Sequence, residues 1–260
     1  PGRGGSKVWD IPVYDSVQEA WDAHGPISST VILVPGPGAK QAVVEAVEFK
    51  FDTILMEVER VPLHDALECV AMCSKAGIRL LGPGSAGLVS PGHGSLGVFG
   101  SPEELARVAF VPGRVGVISR SGGQTSTLAF NVCSAGFGIS TALHIGTEQV
   151  MGTTLPEVLP LFEADEGTDA LVYYGEIGGV MEEEAAEVIK EKKFTKPFIG
   201  YIAGRGLPAG MRFSHASAII EGGKGTAEGK VKALQECGAY VVEAPEDIGA
   251  TLQKILNPQE

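Results

Sequence analysis

Short, continuous apolar runs recur along this chain, and most are followed by a segment with helical spacing. Val31-Ile32-Leu33-Val34, Thr53-Ile54-Leu55-Met56 and Ile78-Arg79-Leu80-Leu81 form a first series, with helices predicted over 39–48, 63–75 and 102–109. A second series runs through strands at 115–119, 140–145, 170–174, 197–202 and 239–242. Its helices fall at 124–135, 154–163, 181–192, 227–237 and 245–256. A strand apolar on both faces must be covered on both faces, so such runs belong in parallel sheets flanked by helices. The fold class is therefore α/β. Pro112-Gly113 separates the two series, and 260 residues leave room for two modest domains, 1–111 and 112–260. Ligands in such folds bind at the carboxyl ends of the strands. No internal repeat and no low-complexity segment interrupts the alternation.

Composition narrows the function classes. A net charge of −12 argues against nucleic acid as a partner, because phosphate backbones are held by basic surface. No window approaches the length of uncharged apolar sequence that a membrane-spanning helix needs, so no membrane partner is expected. The 36 glycines sit between periodic segments, as tight strand-to-helix loops require. Cys69, Cys73, Cys133 and Cys237 have no disulfide-framework spacing. Cys69 and Cys73 share one helix face, but no further ligands accompany them, so they read as packing and no metal site is expected. A reducing, cytoplasm-like compartment is the default.

The chain's most informative loop is Arg212-Phe213-Ser214-His215-Ala216-Ser217, followed by Glu221-Gly222-Gly223-Lys224-Gly225-Thr226 at the start of a helix. A histidine among small residues is reachable and has room to move. Glu176 lies at the end of another apolar strand, where it can orient one ring nitrogen and leave the other as a nucleophile. A surface carboxylate in a glycine loop is the plainer reading. Ser119-Arg120-Ser121-Gly122-Gly123 leads a strand straight into a helix, whose first N–H groups and dipole favour an anion. The same geometry occurs in α/β loops that bind nothing. Val34-Pro35-Gly36-Pro37-Gly38-Ala39-Lys40 is a second such turn, either anion-facing with Lys40 as a point charge or simply structural. His24, His64, His93 and His144 lack such company and read as surface or loop histidines.

Two glycine motifs mislead. Gly82-Pro83-Gly84-Ser85-Ala86-Gly87 has dinucleotide spacing but no helix after it; Leu88 to Gly92 reads as a loop. Gly222 to Thr226 lacks the spacing of a triphosphate-binding loop.

Taken in order, these motifs resemble the alpha subunit of the succinyl-CoA synthetase family. Pro1-Gly2-Arg3-Gly4-Gly5 matches its PGKGG, Glu59 with Val61-Pro62 its TEGIP, and Ser119-Arg120-Ser121-Gly122 its SRSG. Gly175-Glu176-Ile177-Gly178-Gly179 and Tyr201-Ile202-Ala203-Gly204 match outright. The resemblance implies a Rossmann-like CoA-binding domain, truncated at its start because the family's first βαβ unit precedes Pro1, and then a flavodoxin-like ligase domain. It implies an acid–CoA ligase that cleaves a nucleoside triphosphate through an acyl phosphate and a phosphohistidine. His215 would carry the phosphoryl group, Glu176 would orient it, and Ser121, Gly122 and Gly123 would hold the phosphate. Arg3, Pro35, Lys40, Glu57, Val58, Glu59 and Ser85 fall where CoA is contacted. ATP or GTP with Mg2+ would sit mainly on an ATP-grasp beta subunit or a fused equivalent. The compartment would be the cytoplasm, or the mitochondrial matrix in a eukaryote.

The departures concern the acid. The family's substrate-site tyrosine falls at Ser126, and Gly123 removes a side chain beside it, so a carboxylic acid bulkier than succinate is expected. The doubled Gly122-Gly123 is similar to ATP-citrate lyase, and the family's GGDP becomes Gly146-Thr147-Glu148-Gln149. Arg3 replaces the family lysine, and Ser85 its cysteine. A citryl-CoA-forming relative and a non-catalytic CoA-binding paralogue remain the alternatives.

Overall fold

The computed structural model describes residues 2–99, 103–206 and 225–257. It opens with a small antiparallel hairpin, β1 (Lys7–Val8) and β2 (Ile11–Pro12), and helix α1 (Val17–His24). Parallel strands β3 (Ser29–Ile32), β4 (Thr53–Met56) and β5 (Arg79–Leu81) come next, joined by α2 (Ala39–Glu48) and α3 (Leu63–Ala76). Helix α2 buries Ala39, Val43 and Ala46 at helical spacing, and α3 buries Ala66, Cys69 and Cys73 in the same core. The apolar run 31–34 overshoots its strand: Leu33 and Val34 leave the sheet and are exposed.

The chain continues through β6 (Gly87–Ser90), β7 (Gly94–Gly97) and α4 (Glu103–Ala109). Strands and helices then alternate strictly as far as residue 203. They are β8 (Pro112–Ser119), α5 (Gly122–Ser134), β9 (Ile139–His144), α6 (Leu155–Ala164), β10 (Ala170–Glu176), α7 (Met181–Lys190) and β11 (Phe198–Ala203). The last described elements are α8 (Ala227–Glu236), β12 (Tyr240–Val241) and α9 (Asp247–Leu256). The seven-stranded sheet runs β12-β11-β10-β8-β9-β6-β7. Its five parallel strands, β8 to β12, are arranged second-first-third-fourth-fifth, which is the flavodoxin-like order. The α/β class, with a Rossmann-like first part and a flavodoxin-like second, is as the sequence implies.

Alternation along each strand serves both faces. In β10, Leu171 and Tyr173 face a core covered by α6, α7 and α8, while Ala170 and Val172 face one covered by α5 and α9. Leu55 and Leu81, from the three-stranded sheet, join the same core as Ile118, Leu143 and Phe162. The two sheets are therefore packed against each other through shared apolar contacts.

One expectation fails. Residues 88–92, read as a loop, begin inside strand β6, which pairs antiparallel with β9 and turns into β7. The glycines hide it. Gly87 has φ +105°, and a Cβ there would lie 1.9 Å from the Leu96 carbonyl oxygen. The glycine is needed where the hairpin closes on itself, not because the chain is irregular. The glycine motif thus runs into a strand rather than into the helix that a dinucleotide fingerprint opens.

This packing has two measurable consequences. Gly87→Ala should cost about 2 kcal/mol or more, because the new methyl meets backbone in a left-handed conformation; chemical denaturation midpoints measure it. Burial pushes the Cys69 and Cys73 thiols up to about 11. Iodoacetamide at pH 8 should therefore leave both unmodified in the native protein and alkylate them after unfolding, as read by mass spectrometry.

Candidate active site

The parallel sheet reverses its direction of growth at β8, with β9 on one side and β10 on the other. At such a point the loops leaving the strands part, and a crevice opens at the carboxyl ends. Register fixes what lies along it. Ser119 is opposite His144 on β9 and Tyr174 on β10, and Glu176 is opposite Ala203 on β11.

Glu176 is 2% exposed. A buried carboxylate needs a compensating charge, and Arg120, 5% exposed, supplies it: Nη2 lies 3.7 Å from Glu176 Oε1. Arg120 is the first residue past β8. Its backbone N–H still donates to the Tyr174 carbonyl at 3.0 Å, so the ladder itself delivers the guanidinium to the end of β10. Arg120 also contacts the Met151 sulfur. In the sequence Arg120 reads only as part of a turn; its place immediately after an apolar strand is the signal that could have singled it out.

Ser121 is the N-cap of α5, and its side chain makes no capping hydrogen bond in that helix. Its backbone is pinned instead by Ser119: the Ser121 N–H donates to Ser119 Oγ at 2.9 Å, and Ser119 Oγ donates to the Ser121 carbonyl at 2.8 Å. Helix geometry leaves the N–H groups of Gly122, Gly123 and Gln124 without intrahelical acceptors. A Cβ at Gly123 would meet nothing, so the start of α5 is open there. Ser126 is half-buried one turn later on the same helix.

His144 corrects the sequence reading. It is not a surface histidine but is 3% exposed at the end of β9. Its Nδ1 accepts from the Ala86 N–H at 2.8 Å, and a Cβ at Gly122 would lie 3.4 Å from that nitrogen. The ring thus fills the space beneath the start of α5. Nothing near His144 in sequence announces this, because Ala86 and Gly122 make the pocket.

The loops of the first part converge on the same crevice. Ser85 is fully buried; its hydroxyl donates to the His144 carbonyl and accepts from the Gly87 N–H at 3.1 Å. A Cβ at Gly84 would strike Thr147 Oγ1, and the Gly152 N–H donates to the Gly82 carbonyl at 2.9 Å. Loop 146–153 is therefore docked on loop 82–84. Val58 is buried, Glu57 half-buried, and Pro35 and Glu59 are exposed. Val61, Leu63, Pro83, Glu148 and Gln149 line a cavity of about 200 Å³ between these loops. Arg3 and Gly4 donate their backbone N–H groups to Asp15 at 3.0 and 2.9 Å, and those bonds hold the Asp15 carboxyl below its ordinary range, Gly4 contributing most. Lys40 is half-buried and engaged by Glu68 at 2.6 Å and Asp65 at 3.5 Å; the Glu68 hydrogen bond raises its pKa.

His215 lies outside the described residues, but both flanks of that stretch are placed. A Cβ at Gly204 would come 2.8 Å from the Ile177 side chain. On the other side, the Gly178 N–H donates to the Gly225 carbonyl at 2.8 Å. The flanks therefore abut Ile177 and Gly178, immediately after Glu176. Among the described residues no group of three or more His, Cys, Asp or Glu could hold a metal ion, and no helix is long and apolar enough to cross a membrane.

Arg60 yields a prediction. It has φ +58°, and its N–H donates to Glu148 Oε1 at 2.7 Å. An L-residue in that conformation costs about 1–2 kcal/mol relative to the right-handed one. Arg60→Gly should therefore leave stability unchanged or raise it by up to about 1 kcal/mol. Thermal unfolding at fixed pH tests this, and a clear loss would show that the side chain is needed for packing.

The sequence matches a CoA-ligase family model over residues 118–240 and a CoA binding domain model over residues 1–60. It is 44% identical over 256 residues to succinate–CoA ligase [ADP-forming] subunit alpha 2 of Archaeoglobus fulgidus, covering 98% of this chain and 86% of that protein. It is 38% identical over 256 residues to an ADP-forming sulfoacetate-CoA ligase subunit of Bilophila wadsworthia, again covering 98% and 86%. Among solved structures, ATP citrate lyase from Methanothrix soehngenii, in complex with citrate and coenzyme A, superposes with a TM-score of 0.90 at 25% identity. That match covers 95% of this chain and 41% of the lyase chain, so this chain spans about two fifths of the lyase.

Proposed function

We propose a role for each part of the crevice from one premise: the chain belongs to the succinate–CoA ligase alpha-subunit family, the nucleoside diphosphate-forming acid–CoA ligases. It is an acyl-CoA ligase subunit, joining a carboxylic acid to CoA with cleavage of a nucleoside triphosphate. Relatives named alpha subunits support a beta partner, and the partner assigned here is an ATP-grasp subunit or its fused equivalent. That partner holds ATP or GTP with Mg2+. The ADP-forming relatives favour ATP. The reaction is placed in the cytoplasm, or in the mitochondrial matrix of a eukaryote.

The chemistry assigned to this chain is phosphoryl relay. A ring nitrogen of His215 attacks the terminal phosphorus of the nucleotide, and the diphosphate leaves. A carboxylate oxygen of the acid then attacks that phosphorus, which frees the imidazole and forms an acyl phosphate. The CoA thiol attacks the acyl carbon, loses its proton, and inorganic phosphate leaves with the thioester formed. Glu176 accepts a hydrogen bond from the second ring nitrogen and fixes the tautomer. The start of α5 at Ser121, Gly122 and Gly123 faces the transferred group, which carries about two negative charges. Arg3, Pro35, Lys40, Glu57, Val58, Glu59 and Ser85 are assigned to the CoA side, with Ser85 as a buried brace and Glu59 beside the docked loops 82–84 and 146–153.

One observation carries this reading: a buried Glu176–Arg120 pair stands beside an open helix start at the sheet's switch point, with both flanks of the His215 segment against the residues just after Glu176. The acid is assigned as a carboxylate with a second anionic group, in keeping with relatives named for succinate or sulfoacetate. Ser126 and Gly123 widen the pocket beyond succinate. The doubled glycine and the fit to ATP citrate lyase favour citrate as the second reading.

With the natural partner present, His215→Asn should abolish acid-labile, base-stable label from γ-labelled nucleotide. Glu176→Gln should slow labelling roughly tenfold or more while leaving the labelled position unchanged. Labelling and turnover that survive His215→Asn would refute the relay.

A further inference from the structure

Lys230 is completely buried in the fourth position of α8. Its ammonium contacts Glu182 Oε2 and lies 3.5 Å from Glu183 Oε2. Glu182, 2% exposed near the start of α7, uses its other oxygen to accept from the Tyr173 hydroxyl at 2.8 Å. Tyr173 is buried in β10, three residues before Glu176. Glycine at position 175 makes the room, since a Cβ there would lie 2.6 Å from Glu182 Oε1 and 2.6 Å from the Tyr173 ring. Lys230 and Glu182 each occupy a position where helical spacing calls for an apolar residue: Ala227, Lys230 and Leu234 are buried on α8, and Glu182, Ala185 and Ala186 on α7.

Burying an ion pair rarely stabilises a fold more than apolar residues of the same volume would. What such a network gives is geometry, because each polar group is satisfied in only one arrangement. This one ties the start of α7, the start of α8 and β10 together. The backbone closes the same junction: Gly178 donates to Gly225, whose φ of +75° allows a contact in which a Cβ would lie 2.6 Å from the Gly179 carbonyl oxygen. The Ile177 N–H donates to the Ala203 carbonyl at 3.2 Å. The loop leaving Glu176 and the backbone entering α8 are thus set against each other.

We propose that Lys230, Glu182 and Tyr173 are positioning residues for phosphoryl transfer, holding the Glu176 loop at a fixed place relative to the start of α8. This rests on the relay assigned above. None of the three exchanges a proton in it. Tyr173 is kept protonated, because burial and then the Glu182 charge push its hydroxyl far above the ordinary tyrosine range.

The test uses the complete natural protein with its nucleotide-binding partner and γ-labelled ATP. Lys230→Met alone strands a buried carboxylate, so the informative variant is Lys230→Met/Glu182→Gln, which removes both charges and keeps an acceptor for Tyr173. It should melt at or above the wild-type temperature, keep its KM for CoA, and form phosphohistidine roughly tenfold more slowly. A folded double variant that labels at the wild-type rate overturns the inference and leaves the relay standing. A wild-type enzyme that takes no label on His215 overturns the relay, and the inference with it. If the double variant fails to fold, Tyr173→Phe decides: it removes one hydrogen bond from Glu182 and should lower the melting temperature, and, assayed where the variant remains folded, slower labelling supports the brace and unchanged labelling overturns it.

Discussion

The buried pairing of Glu176 with Arg120 is the constraint on which the rest of the crevice depends. A carboxylate withdrawn from water is held only where a cation meets it, and removing either partner leaves an uncompensated charge. Here the partners come from the ends of adjacent parallel strands, Glu176 from β10 and Arg120 from the residue just past β8, and the Arg120 backbone continues the hydrogen-bond ladder between them. The strand order β9-β8-β10 is what makes them neighbours. A different order of the same strands would keep the apolar core and lose the pair. Topology therefore acts directly on chemistry: it sets a charge against a charge at the place where diverging loops leave room for a ligand.

Glycines finish the arrangement by letting backbone approach backbone. Gly84 lets loop 146–153 dock on loop 82–84, Gly122 lets α5 start over His144, and Gly225 lets the entry to α8 touch the loop after Glu176. In each case a Cβ would stand within 3.5 Å of atoms from a distant part of the chain. These three glycines thus reflect close packing around one crevice, and their positions tolerate substitution less than a place in a loop or at a helix start suggests.

The alternation of apolar runs and helical spacing is enough to read the α/β class and most elements, because both faces of these strands are buried and periodicity is what burial leaves in a sequence. The parts that escape such a reading are decided by contacts between distant residues. Strand β6 is too short and glycine-bound to show a period, and only its pairing with β9 and β7 defines it. His144 looks like any loop histidine until Ala86 and Gly122 enclose it. Arg120 is legible as part of a motif, but not as the counter-charge of Glu176. Lys230 and Glu182 do leave a local trace, as charged residues on apolar helix stripes. Such a trace marks a buried pair only when two stripes are known to face each other, and that is a fact about packing.

In the proposed relay, a chain of net charge −12 must still attract anions to its crevice. Surface charges are screened beyond about 8–10 Å at physiological ionic strength, so the overall sign matters less than the groups lining the site. Those groups are ordered in space. The acidic side chains Glu59 and Glu148 lie where the loops of the first part meet loop 146–153, whereas the open N–H groups of α5 lie at the switch point itself. Glu176, the carboxylate beside that helix start, has its charge met by Arg120. In the proposed relay this separation resolves the central electrostatic conflict. A carboxylate must sit near enough to orient an imidazole whose phosphoryl group carries about two negative charges. Its repulsion is borne by a buried guanidinium on one side and a helix dipole on the other.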